Sequence, residues 1–152
     1  METTSVRQST VRFRVRYSET DRMDTFYNSR ALEWFEVGRT ELLREAGVPY
    51  AEMEARGVML PLVEAHVEYL GRARYDDELE MKVSAVMSGR ARVRFDIRIR
   101  QVGDEAAAVA AGYTIHAVTD ASGRPVRPPA WLAEAIGGKR KASKLQGRLG
   151  TT

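Results

Sequence analysis

Residues 11–46, VRFRVRYSETDRMDTFYNSRALEWFEVGRTELLREA, decide the fold. The first seven alternate Val11, Phe13, Val15 and Tyr17 with Arg12, Arg14 and Arg16, which is the two-residue period of a strand with one buried face. The next twelve, SETDRMDTFYNS (18–29), are rich in turn formers and hold no period, so they form a loop. From about Ser29 to Ala46 the apolar residues Ala31, Leu32, Trp34, Phe35, Val37, Leu42 and Leu43 return at helical spacing. Asn28 or Ser29 can cap the start of this helix, and Gly47 followed by Pro49 ends it.

Outward from this unit the chain turns to strand. YAEMEARG (50–57) fits a short second helix closed by Gly57, and VMLPLVEAHVEYL (58–70) is β-rich with an irregular start or bulge at Pro61. ELEMKVSAVM (78–87), an SGR turn and the alternating ARVRFDIRIRQV (91–102) read as an antiparallel hairpin. After a Gly103-Asp104-Glu105 turn, AAAVAAGYTIHAVT (106–119) is apolar enough for a central strand, its Ala and Gly residues allowing close approach. A short helix follows around Pro129 to Ile136. The order is strand, long helix, four strands. A single apolar helix cannot bury itself and a five-stranded sheet needs a cover on one face. The expected fold class is therefore α+β, a five-stranded antiparallel sheet wrapped around one long helix.

The chain has 152 residues, the size of one domain, expected over 1–136 with a basic, disordered tail over 137–152. Its formal charge of +3 is a tail effect. Of 24 Lys and Arg, five (Lys139, Arg140, Lys141, Lys144 and Arg148) lie in the tail, which leaves 19 against 21 acidic residues elsewhere. A nucleic-acid binder working through that tail is the weakest functional reading, because interleaved aromatics are missing. Absence of cysteine excludes disulfides, thiolate metal sites and a Cys nucleophile, and suits a reducing compartment. There is no apolar run of membrane-spanning length, and METTSVRQST lacks the apolar segment of a secretory signal, so a cytoplasmic protein with no membrane partner is expected. His66 and His116 are too far apart to suggest a metal, and no metal or separate cofactor is expected.

The run RYSETDRMDTFYNSRALEWFEVGRTELL (16–43) resembles the signature of the 4-hydroxybenzoyl-CoA thioesterase family of hotdog-fold proteins. GVMLPLVEAHVEYLGRARYDDELEM (57–81) resembles the strand that follows it. The resemblance implies a hotdog fold and hydrolysis of acyl-CoA or acyl-carrier-protein thioesters. It also implies a homodimer or homotetramer with sites built between subunits, and a catalytic Asp carried onto Asp21, with coenzyme A entering only as part of the substrate. Asp24 stands where the family usually has Gly, Asn28 where His is frequent and Ala31 where Tyr is common. Asp24 is thus a second carboxylate that can share the role of Asp21.

The chemistry suits these residues. A thioester expels a thiolate whose conjugate acid has a pKa near that of cysteine, about 8.5, so one carboxylate can suffice as nucleophile or general base. The free N–H groups at the helix start, about Asn28 to Arg30, can receive the developing oxyanion. Arg72 and Arg74 near one turn, and Arg90, Arg92 and Arg94 around the hairpin, are candidate partners for the nucleotide phosphates, although alternating arginines on a strand are more often a solvated face. Glu33 and Glu36 read as helix-dipole partners before catalytic groups, His66 as a surface or interface residue, and His116 as structural. The alternative function is a non-catalytic hotdog protein that binds acyl thioesters or serves as an assembly module.

Overall fold

A computed structural model describes residues 6–137, so the expectation for the basic tail falls outside the described residues, apart from Gly137. The elements in chain order are β1 (Arg7–Arg14), a single 3-10 turn (Tyr17–Glu19), α1 (Arg30–Glu45), α2 (Tyr50–Ala55), β2 (Leu62–Tyr69), β3 (Glu78–Ser88), β4 (Arg92–Gln101), β5 (Ala108–Ala117) and α3 (Ala130–Gly137). The strands make one sheet in the order β1-β3-β4-β5-β2, antiparallel at every pairing. The first two strands of the chain are therefore its opposite edges, and α1 is the connection between them.

Strand alternation decides which side α1 covers. Leu79, Met81, Val83 and Ala85 of β3 are buried, as are Val93, Phe95, Ile97 and Ile99 of β4. Ala110, Thr114 and His116 of β5 are buried on the same face. The residues between them, such as Glu80 and Lys82 on β3 and Arg92, Arg94, Asp96 and Arg98 on β4, point the other way. Helix α1 lies on the apolar face against β1, β3 and β4, burying Ala31, Trp34, Phe35, Gly38, Leu42 and Leu43. Those positions recur every three or four residues, the stripe expected of a helix with one buried side.

Two glycines set how close the layers come. A Cβ on Gly38 would stand 2.6 Å from Val83 Cγ2 and press on Met81. One on Gly112 would overlap the His66 carbonyl of β2 and meet the Phe35 ring at 3.1 Å. Gly112 of β5 is thus a packing requirement toward β2 and α1.

Some boundaries differ from the sequence reading. β1 begins at Arg7 and leaves the sheet at Arg14, because Val15 turns in toward the loop, donating its N–H to the Asp77 carbonyl at 3.0 Å while its side chain is buried. α1 has 16 residues, about 24 Å at 1.5 Å per residue, and is one of three helices among the described residues. β2 starts only after Pro61, with a register shift between Leu62 and Glu64. No helix among the described residues is long and apolar enough to cross a membrane. Replacing Gly112 by Ala should cost about 3 kcal/mol, the upper end for an overpacked core. Urea unfolding measures it, and an unchanged midpoint would show that β2 and Phe35 can move aside.

Candidate active site

The segment between β1 and α1 is a built structure organised by Glu19. This residue is only 3% exposed. Its Oε1 accepts the Arg16 backbone N–H at 2.7 Å, and its Oε2 accepts the Arg16 guanidinium and the Trp34 indole N–H, each at 3.1 Å. Burial alone pushes the Glu19 carboxyl up. The hydrogen bonds from the Arg16 backbone, Trp34 and the Arg16 guanidinium outweigh burial and hold the carboxyl below its ordinary value. Trp34 lies between Phe13 and Phe26, with ring centroids 5.1 and 4.8 Å away. Strand, loop and helix therefore meet at one indole.

Beyond Glu19 the backbone doubles back on itself. Thr20 bridges Phe26, Tyr27 donates its N–H to the Glu19 carbonyl at 2.8 Å, and Asp21 donates its own to Thr25 at 2.9 Å. The tip is turned by Asp24, whose φ of 64° is left-handed. Aspartate is among the few side chains that adopt this region readily, so the turn survives without the glycine of the family pattern. The Asp24 carboxylate leaves the site and pairs with Arg74 at 2.9 Å, both groups well exposed.

Asp21 is held at the inner side of the turn. Its Oδ1 accepts the Met23 N–H at 2.8 Å, while Oδ2 has no hydrogen-bond or ion-pair partner among the described residues. It lines an open concavity of about 330 Å3 with Thr25, Phe26, Asn28, Tyr69 and Arg72. Of the N–H groups at the start of α1, that of Arg30 is taken by the Tyr27 carbonyl at 2.9 Å and that of Ala31 by the Asn28 carbonyl at 3.3 Å. Arg30 thus drops out as a free donor. The N–H groups of Asn28 and Ser29 have no acceptor among the described residues. The Tyr69 hydroxyl donates to the Asn28 carbonyl at 2.8 Å, tying the end of β2 to the helix start.

Of the candidate arginines, the fold brings two to this loop. Arg72 donates to the Met23 carbonyl at 2.6 Å, and Arg74 carries the ion pair with Asp24. Arg90 lies in the β3–β4 turn and Arg92 at the start of β4, whereas Gln101, at the other end of that strand, donates to the Arg72 carbonyl at 3.2 Å. Within one chain, about 30 Å of strand separates the two pairs. Arg94 pairs with Asp96 at 3.0 Å and lies 4.1 Å over the Tyr113 ring. Glu33 pairs with Arg30 at 2.9 Å. His66 is exposed on the outer face of the sheet, stacked on Tyr113 at 5.4 Å.

A second pocket of about 270 Å3 sits at the far end of β2. Its walls include Leu43, Leu60, Leu62 and Phe95, with Glu36 and Arg39 from α1 and Tyr50 from α2. The Arg39 guanidinium has no hydrogen-bond or ion-pair partner among the described residues. His116 closes the floor. Its Nδ1–H donates to the Leu60 carbonyl, and on the neutral ring its Nε2 accepts from the Thr114 hydroxyl, both at 3.0 Å. Burial, reinforced by the charge of Arg39, lowers its pKa to about 4 against the hydrogen bond to Leu60. Glu19, Tyr69, Arg39 and Tyr50 all escaped the sequence reading. Only the Glu36, Arg39, Thr40 spacing, polar residues returning to one side of a buried helix, signalled any of them.

His116 makes stability depend on pH. Between its unfolded value of about 6.5 and the folded value of about 4, the unfolded chain binds a proton that the folded chain does not. Stability is therefore full above the higher value and falls as pH drops toward the lower, by roughly 3 kcal/mol. Urea unfolding at pH 7 and pH 4.5 should show a loss in the wild type that His116→Gln lacks, and equal losses would refute this account.

The sequence profile of the Thioesterase-like superfamily matches residues 15–136. Over 63 residues the chain is 41% identical to YneP of Bacillus subtilis (strain 168), named as a candidate acyl-CoA thioesterase. That stretch is 41% of this chain and 46% of YneP, and the chain spans about half the length of the curated relatives it matches. The crystal structure of a hypothetical protein (AQ1494) from Aquifex aeolicus is similar at 30% identity and a TM-score of 0.78, over 84% of this chain and 98% of that one. A DHNA-CoA thioesterase from Staphylococcus aureus is similar at 25% identity and a TM-score of 0.77, over 95% and 96%. With the profile covering four of the five strands, the loop of Asp21 and α1 together, the chain belongs to the Thioesterase-like superfamily and has its hotdog-like fold.

Proposed function

We propose that this protein hydrolyses acyl-CoA or acyl-carrier-protein thioesters, with Asp21 as nucleophile or general base and the N–H groups of Asn28 and Ser29 as the oxyanion site. The observation that carries the reading is that Asp21 and Asn28 line one concavity, the carboxylate with an oxygen to spare and the helix start with two unspent donors. As nucleophile, Oδ2 adds to the thioester carbon, the carbonyl oxygen takes negative charge against the helix N–H groups, and the thiolate leaves a mixed anhydride that water opens. As general base, Oδ2 takes a proton from water, the resulting hydroxide adds, and collapse expels the same thiolate. Both routes end in free acid and thiol.

The working unit in this proposal is a homodimer paired through β2. That strand is an edge, exposed along nearly its whole length, with Leu62, Val63 and Tyr69 among its uncovered side chains. Antiparallel pairing of β2 with its copy about a two-fold axis sets Leu62 of one chain beside Tyr69 of the other. The apolar pocket at the Leu62 end then adjoins the partner's Asp21 loop and receives the acyl group. Arg90 and Arg92 come to the same end of the joined sheet, about three strand spacings or 14 Å away, within reach of a coenzyme A nucleotide. A sheet curled around a central α1, and a cytoplasmic setting, complete the reading.

Asp21→Asn keeps the size of the side chain and removes its charge, so thiol release from a panel of acyl-CoA substrates should fall by about a thousandfold or more. Asp24→Asn, whose carboxylate faces Arg74, should retain most of the activity; the reverse pattern would move the chemistry to Asp24. Val63→Lys, at an exposed edge position, should give a folded monomer by sedimentation with little turnover. A fully active monomer would overturn the two-chain site.

A further inference from the structure

Among the described residues, the face of the sheet away from α1 carries two basic side chains that the fold sets against each other. Lys82 on β3 stands directly opposite Arg98 on β4, with Thr10 of β1 beyond the lysine and Ala111 of β5 beyond the arginine. Like charges facing each other across an antiparallel pair repel, and the neighbouring rungs usually supply an acid. Here the three nearby acids are taken. Glu80, one rung along, is held between Arg12 and Arg100, Asp96, on the opposite side, is held by Arg94 at 3.0 Å, and Glu105 is held by Arg100 at 3.5 Å. Lys82 and Arg98 have no hydrogen-bond or ion-pair partner among the described residues.

The same two side chains share both hollows on this face, one of about 490 Å3 toward Gln8 and Thr10 and one of about 440 Å3 toward Glu105. Small residues, Ser84 and Ala111, leave the depth, while Gln8, Thr10 and Ser84 add uncharged donors at the rim. A ligand that relieves the repulsion needs two negative charges about 5 Å apart, only acceptors on its surface, and little bulk. A carboxylate offers one charge. A phosphate ester or diphosphate offers two, matched to the fork of an arginine and the point charge of a lysine.

We propose that this groove binds a phosphate-bearing small molecule, a phosphate monoester or diphosphate, at a site separated by the sheet from the Asp21 concavity. The proposal does not rest on thioester hydrolysis. Calorimetric titration of the full chain with pyrophosphate, at an ionic strength held constant with chloride, tests it. The expected result is one site per chain, with affinity lowered about tenfold or more in Lys82→Gln and again in Arg98→Gln. Arg14→Gln, on the same face but outside the groove, should bind as the wild type does. The ligand-free Lys82→Gln protein should also unfold at a higher temperature than wild type, because the repulsion is gone. Two further titrations identify the source of the phosphate. If coenzyme A binding weakens in Lys82→Gln while that of pantetheine, which has no phosphate, stays unchanged, the groove takes the phosphates of the substrate. If coenzyme A binding is unchanged while pyrophosphate binding is lost, it takes a separate phosphorylated ligand. Pyrophosphate binding equal in wild type and both variants, or no binding above chloride, overturns the proposal.

Discussion

A carboxylate sunk among three donors has to stay ionised and has to keep its partners, and Glu19 imposes that condition on the whole candidate site. Its bond to the Trp34 indole joins the start of the loop to the second turn of α1, and its bonds to Arg16 fix the end of the chain leaving β1. Buried charge of this kind contributes little net stability against an apolar substitute, yet it is costly to leave unpaired and so selects one geometry. The geometry selected puts Asp21 two residues beyond the anchor, at the mouth of the helix. The turn from Asp21 to Asp24 is tied down as well by Arg72 and Arg74, but Glu19 is the buried carboxylate that joins it to the helix.

Topology supplies the other half of the arrangement. Because α1 connects the two edges of the sheet, its start lies close to the end of β2, where Tyr69 reaches Asn28, and its later turns run toward the pocket at Leu60 and Leu62. The close approach at Gly112 lets Phe35 settle onto the sheet between these two regions. The chain therefore carries a polar concavity and a largely apolar pocket at opposite ends of one uncovered strand.

Much of the fold was legible because its signals are periodic. β4 alternates Val93, Phe95, Ile97 and Ile99 against charged residues without a break, and α1 lies within one residue of the reading at each end. β1 was read four residues late at its start, since Gln8, Ser9 and Thr10 are polar on both faces of an edge strand and mimic a loop. The site was less legible for a different reason. Asp21 is chemically the same as any aspartate in a turn, and only its surrounding motif distinguished it. Glu19 was overlooked because a charged residue among turn formers reads as exposed. Arg90 was read in the turn and Arg92 on the strand after it, but alternation says which face a residue takes and nothing of which end of the sheet it occupies.

The bond from Tyr69 to Asn28 has an electronic side as well. The oxygen it engages belongs to the same peptide unit as the N–H of Ser29, and it already accepts the N–H of Ala31. Each donor drawn to an amide oxygen polarises that amide, and gains of roughly 10–30% per link are typical of such chains. A phenol on an edge strand thereby sharpens the proton of a main-chain donor it never touches, a form of tuning invisible to any comparison of the side chains around the helix start.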